Sequence, residues 1–166
     1  MIRAAALLAI AAALSGCGMR PLYGGGPNGA VRQTLAAIEV APIAGQQGWL
    51  VDNALRDRLG ASGNTAPRYR LQVVLDDQII GLGARSNDTI TRERRTLRAR
   101  YQLVDLANGG VLVDASAGSD AGIDVVSSEY ATIAAEQSAL ERLSGIVADQ
   151  IVARIALYAQ RTDGTE

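Results

Sequence analysis

Histidine, lysine and phenylalanine are absent from the 166 residues, and cysteine occurs once. Each absence removes a class of chemistry. Without histidine, and with a single thiol, the chain lacks the usual donors of a zinc or copper site. It also lacks the base of a Ser-His or Cys-His nucleophile. One cysteine forms no intramolecular disulfide, so the folded part is held by its own core. All 16 cations are arginines, set against 17 acids, so no overall basic bias points toward nucleic acid. Adjacent carboxylates such as Asp76 and Asp77 would point to opposite faces of a strand and could not work as an acid–base pair. Nothing in this inventory resembles an active site, and an enzyme is not expected.

The N-terminus reads MIRAAALLAIAAAL: Arg3, then an unbroken apolar run from Ala4 to Leu14. That run fits the h-region of a secretory signal and is too short for a membrane-spanning helix, which needs ~20 residues. The same run could serve as a core helix, but its terminal position and the Gly-rich sequence after it favour export. It ends in Leu14-Ser15-Gly16-Cys17, which resembles the bacterial lipobox. In such signals the cysteine receives diacylglycerol, the peptide is cut before it, and the new amino group is acylated. Small residues at 15 and 16 admit the processing enzymes, and a thiolate is the strongest nucleophile a side chain offers. Several acyl chains anchor stably where one would not. The alternative is an exposed free thiol in a secreted protein. The expectation is a signal peptide over 1–16, N-acyl and S-diacylglycerol groups at Cys17, and no other cofactor. Gly18 stands where inner-membrane lipoproteins of enteric bacteria commonly carry aspartate, which points by resemblance to the periplasmic side of the outer membrane.

Removal of 16 of the 166 residues leaves 150 and a formal charge of −2, a size suited to one domain. Residues 17–33 read as a lipidated flexible tether, with Gly and Pro dominating Gly24 to Asn28. A single domain follows over 34–160, and 161–166 reads as a disordered tail.

Within the domain, Ile38 and Val40 alternate with Glu39 up to Pro42, a first strand. Leu50, Ala54 or Leu55, and Leu59 then fall at helical spacing before Gly60. RYRLQVVLDDQIIG alternates with Tyr69, Leu71, Val73, Leu75 and Ile79 on one face, a half-buried strand. After a loop at 81–88, TRERRTLRARYQLVDL alternates likewise, with Leu97, Ala99, Tyr101 and Leu103 inward. VLVDASAGSDAG is a further strand beyond Asn108-Gly109-Gly110. A three-residue loop there pairs Leu103 with Ala115 and Asp105 with Val113, and sets Asp120 opposite Arg98. Pairing across the 81–88 loop brings Arg70 near Arg100 and Asp76 near Arg94. From about Ser128 to Gln160 the chain is helical, with Ile133, Leu140, Val147, Ile151, Ile155 and Tyr158 as its apolar stripe and Gly145 marking a break or a close contact.

The order β-α-β-β-β-α predicts an α+β two-layer sandwich: a four-stranded, mostly antiparallel sheet with two helices on one face. Strand one is expected to run parallel to strand two, with a right-handed crossover. The outward face carries Arg68, Arg70, Arg92, Arg94, Arg98 and Arg100. Between Arg68 and Arg100 eight arginines meet four acids. Guanidinium forks bind phosphate bidentately, so these six residues are the candidate anion-binding site, suited to a phosphorylated glycolipid. Two plainer roles compete with it: a solvated charged face, and protection of an edge from strand pairing.

The start Cys17-Gly18-Met19-Arg20-Pro21-Leu22-Tyr23-Gly24, the element order and the ending TIAAEQSALERLSGIVADQIVARI together resemble the LptE family of lipopolysaccharide-assembly lipoproteins, in its alphaproteobacterial form. The resemblance implies a non-enzymatic partner and plug of a large outer-membrane β-barrel, LptD. It also implies binding of lipopolysaccharide through basic residues of the sheet. The absence of lysine departs from the family pattern. An auxiliary lipoprotein of an intermembrane lipid transport complex is the alternative, with a structural envelope protein behind it. An anchored hydrolase would lack both nucleophile and base.

Overall fold

The structure is a computed structural model describing residues 29–60, 66–84 and 90–163. The stretches read as signal peptide and tether up to residue 28, with Cys17, its expected acylation and Gly18 among them, and the last three residues lie outside the described residues.

Seven elements follow one another: α1 (Ala30–Ala36), β1 (Ile38–Val40), α2 (Gly45–Leu59), β2 (Tyr69–Ala84), β3 (Ile90–Asp105), β4 (Val111–Asp124) and α3 (Glu129–Asp163). The strands lie in the order β1-β2-β3-β4. β1 pairs with β2 in parallel, and β2–β3 and β3–β4 are antiparallel. The expected α+β architecture stands, with an additional helix. α1 had no period of its own to announce it, because only Val31 and Leu35 of its seven residues are buried. It begins inside the stretch read as tether. The terminal helix likewise runs past Gln160 to Asp163.

Burial follows the alternation. Leu71, Leu97, Ala99, Tyr101 and Leu103 turn inward against Val51, Leu55, Leu59, Leu140, Leu143, Val147, Ile151 and Ile155. Each fully buried leucine or isoleucine among them contributes about 1.5–3 kcal/mol. On α2 the stripe is Gly48, Val51, Leu55 and Leu59; Leu50 and Ala54 only flank it. Gly48 is required there, because a Cβ would stand 2.5 Å from the Ile43 carbonyl oxygen. Gly60, in the left-handed region at φ 66, ends the helix as expected, its N–H donating to the Arg56 carbonyl.

α3 runs unbroken through Gly145 for 35 residues, about 52 Å at 1.5 Å per residue. Ser128 caps it, its Oγ accepting from the Ala131 N–H at 3.4 Å. The glycine serves a close contact rather than a break. A Cβ there would meet Arg58 Nη2 at 3.5 Å, and that guanidinium reaches over the helix to Asp149, with Nη2–Oδ2 at 3.1 Å. Gln46 meets Gln137 at 3.2 Å by the same offset along the chain, so α2 and α3 run parallel. The first turns of α3 project beyond α2, and Ile133, expected in the core, is 55% exposed. No helix among the described residues is long and apolar enough to cross a membrane.

Two registers differ from those expected. Leu103 pairs with Val113 rather than Ala115, and Asp120 lies opposite Thr96 rather than Arg98. The cause is the turn. The Asp105 carboxylate accepts from the Ala107 N–H at 2.8 Å, and the Asp105 N–H donates to the Gly110 carbonyl at 2.9 Å. The loop therefore closes on Asp105 and Gly110, and Asp105 does not reach Val113. A bulge between Leu103 and Val104 absorbs the remaining offset. The net slip is two residues, so every side chain keeps its face. β2 and β3 also run further toward their hairpin than expected. Asp76 consequently faces Arg98 instead of Arg94, and Arg70 faces Val104 instead of Arg100.

One polar cluster enters the inner layer. Arg95 and Asp77 form a fork, Nε–Oδ1 2.9 Å and Nη2–Oδ2 2.6 Å, and Arg95 Nη1 donates to the Glu136 carbonyl at 2.9 Å. Glu93 lies alongside. Burial first, then the neighbouring Glu136 carboxylate, holds its carboxyl above the ordinary glutamate range.

Candidate ligand face on the outer side of the sheet

Even-numbered residues of β2, β3 and β4 form the outer face. Arg92, Arg94, Arg98 and Arg100 project from β3 in two pairs, separated by Thr96. From Arg92 to Arg100 the strand rises about 26 Å, so no single small anion touches all four. Arg68 and Arg70 lie at the opposite end of this face, Arg68 stacked over the Tyr69 ring at 5.5 Å.

The register supplies acids to most of these arginines. Arg92 pairs with Asp124 at 3.1 Å, Arg94 with Asp120 at 4.0 Å, Arg100 with Asp114 at 3.2 Å and Arg70 with Glu39 at 3.4 Å. With Asp76 included, six arginines share the face with five carboxylates, a formal balance of +1. All four ion pairs are solvent-exposed and individually weak. Asp114 is the best served of the acids: Gln102 at 2.9 Å and Arg100 hold its carboxyl below the usual aspartate range. The local excess of arginine read from β2 and β3 alone is thus largely neutralised by β1 and β4.

Arg68, over its Tyr69 ring, and Arg98 are the exceptions among the described residues, and of the two only Arg98 stands mid-face. It lies between Asp76 on β2 and Gly118 on β4 and forms no ion pair with any described residue. Asp76 turns instead to the Gln78 amide, at 3.1 Å and 3.2 Å. Beside Arg98 the face sinks into an open depression of about 540 Å³, bordered by Val74, Asp76, Arg100, Ser116 and Gly118. The small residues of β4 leave its floor low. A Cβ on Gly118 would stand 3.2 Å from Arg98 Cγ, so the glycine lets the arginine stem lie close to the sheet. Two apolar residues rise from the same face, Val74 at 72% and Ile80 at 49% exposed. The arrangement offers one uncommitted guanidinium, a second arginine held by an exposed carboxylate, and apolar surface beside both.

Of the six arginines singled out from the sequence, the fold gathers Arg98 and Arg100 at one depression. Arg92 and Arg94 form a second pair nearer the β2–β3 hairpin, and Arg68 and Arg70 stand apart. Val74, Ser116 and Gly118 were not foreseen. The countering acids Asp114, Asp120 and Asp124 were legible as even positions of β4, but only a correct register shows which arginine each one meets. Among the described residues no group of three potential ligands could hold a metal ion.

A lipoprotein of Caulobacter crescentus superposes with a TM-score of 0.65 at 23% identity, over 78% of this chain and 96% of that one. A minor lipoprotein of Acinetobacter baumannii gives 0.58 at 15% identity, over 74% and 92%. The rare lipoprotein B of Shewanella oneidensis gives 0.53 at 10% identity, over 77% and 96%. These likenesses establish the fold. No curated protein matches the sequence. The family model of LptE, described as lipopolysaccharide-assembly, matches residues 35–155. Spanning the sheet, α2 and most of α3, that match places the chain in the LptE lipopolysaccharide-assembly family.

Proposed function

We propose that this chain is an outer-membrane lipoprotein, anchored through acyl groups on Cys17, which partners and plugs the LptD β-barrel and binds lipopolysaccharide on the outer face of its sheet. Membership of the LptE family over residues 35–155 carries this reading. The family is one of non-enzymatic lipopolysaccharide-assembly lipoproteins, and the absence of histidine agrees with a binding role.

Among the six outward arginines, Arg98 would form the centre of the anion site. A guanidinium without a carboxylate partner keeps its fork for a phosphate. Arg100, and then Arg94 and Arg92, would join by exchanging weak exposed ion pairs for ligand contacts. Val74 and Ile80 would meet apolar parts of the same ligand. Arg68 and Arg70 lie too far along β2 to share one phosphate with Arg98.

The test is recovery of the tagged full-length chain from detergent-solubilised outer membrane, with mass spectrometry of co-purifying proteins. A stoichiometric large β-barrel is the expected result. Subunits of an inner-membrane transporter would replace this reading with that of an auxiliary lipid-transport lipoprotein.

A further inference from the structure

The two edges of the sheet differ. In an antiparallel ladder, alternate residues direct both N–H and C=O toward one neighbour. The Leu106 N–H donates to the Arg68 carbonyl across β2–β3, whereas the Tyr69 N–H and the Leu71 carbonyl bond to Ala37 and Ala41 on the β1 side. Even residues of β2 therefore bond to β3, and odd residues point away from it. β1 covers only Tyr69 to Leu71. Beyond it, the outward N–H and C=O groups of Val73, Leu75, Asp77, Ile79 and Gly81 meet no partner among the described residues.

The β4 edge is treated otherwise. There the outward groups belong to even residues, and the Gln150 side chain of α3 takes both groups of Gly118: N–H to Oε1 at 3.0 Å and Nε2 to carbonyl at 3.3 Å. This amide occupies the place where a fifth strand would bond. β2 receives no such cap from the described residues and contains no proline or lysine, two common guards of a free edge. Apolar residues stand on both of its faces, Val74 and Ile80 outside and Ile79, 42% exposed, inside, with Asp76 between the outer two and the Arg95-bound Asp77 inside. Gly83, at φ 74, ends the regular stretch.

We infer that the open β2 edge from Val73 to Gly81 receives an extended segment of the β-barrel partner as an added strand, an inference that rests on the partner reading above. The chemistry of the edge describes that segment. Its outward residues would be apolar beside Val74 and Ile80 and basic beside Asp76, whose carboxylate is exposed between them. A closed barrel ladder has no free edge of its own, so the segment lies outside that ladder. β-Strand addition of this kind draws affinity from the main chain and specificity from alternate side chains.

The experiment uses the full-length tagged chain and proline. Ile79→Pro removes an N–H that points only to the open edge and spares every bond to β3. Ile80→Pro removes a ladder bond and serves as the destabilised control. Expected is an Ile79→Pro protein with wild-type circular dichroism that captures the barrel at least about tenfold less well. Amide exchange on the wild-type chain gives an answer independent of any variant's folding. The edge amides of Val73, Leu75, Asp77 and Ile79 should exchange fast when free and become protected in the barrel complex.

Equal capture by wild type and Ile79→Pro, or unchanged exchange in the complex, would overturn the inference and leave the partner reading intact. Failure of the wild type to capture any barrel would overturn both. A wild-type dimer by light scattering that Ile79→Pro dissolves would assign the edge to a second copy of this chain instead.

Discussion

Arg95 grips Asp77 across the inner face of the sheet with two parallel hydrogen bonds, and the two side chains are only 12% and 13% exposed. Removing one partner strands the other charge between sheet and α3. Asp77→Asn and Arg95→Met should each cost about 3–5 kcal/mol, whereas the double replacement Asp77→Leu/Arg95→Met should cost much less than their sum. Urea midpoints of the three variants close the cycle. Singles within about 1 kcal/mol of wild type would mean that water already screens the pair.

That fork also shows where the sequence stops being legible. The two-residue alternation placed Leu71, Leu97, Ala99, Tyr101 and Leu103 inward, because one buried face imposes its period on every strand. It could not reveal that Arg95 and Asp77, charged residues at inward positions, satisfy each other, since their meeting depends on register. Register failed by two residues at β3–β4 because the Asp105 side chain closes its turn one step early, a local hydrogen bond invisible to hydropathy. The same alternation puts the six arginines on the outer face. Their neutralisation was missed because the acids come from β1 and β4. Ile133 is left exposed because the helical period extends into turns of α3 that precede the level at which α2 begins.

Glu93 should make the fold sensitive to pH in an unusual direction. Its Oε2 is buried without a partner among the described residues, and its carboxyl is held above the ordinary range by burial and by Glu136. An acid whose folded pKa is raised contributes its full stability below the unfolded value of ~4.3 and loses it as pH rises through the folded value. Asp149 and Asp114 run the other way. Arg58 lowers the first, and Gln102 and Arg100 lower the second. Their stability is present above an unfolded value of ~3.9 and lost as pH falls through the folded values. Glu93→Gln should therefore raise the melting temperature at neutral pH and flatten its fall above pH ~4.5, leaving the acid limb unchanged. Parallel melting curves for variant and wild type across that range would sink the assignment.

Ser144 sits in the middle of α3, 2% exposed, and its Oγ has no hydrogen-bond partner among the described residues. A buried unsatisfied hydroxyl costs about 1–3 kcal/mol, and alanine removes it while keeping the helix. Ser144→Ala should stabilise by about 1 kcal/mol, read as a rise of ~3 °C in thermal unfolding. A fall in stability would show that the hydroxyl holds a water the packing requires.

The ligand face makes a ranking, and the ranking is the test of Arg98. If the outer face binds the phosphates of lipopolysaccharide, Arg98→Gln should weaken binding about tenfold, the loss of one charge-assisted contact. Arg92→Gln and Arg94→Gln should cost less, because those guanidiniums already lean on Asp124 and Asp120. Asp120→Asn should tighten binding by releasing Arg94. The quadruple replacement of Arg92, Arg94, Arg98 and Arg100 by Gln should abolish binding. Titration of purified lipopolysaccharide against the full-length chain at two salt concentrations measures all of these, with the wild-type affinity falling at the higher salt. An Arg92→Gln loss larger than that of Arg98→Gln would move the site to the hairpin end of the face. An unaffected quadruple variant would remove the arginines from ligand binding and leave them the structural role their ion pairs already describe.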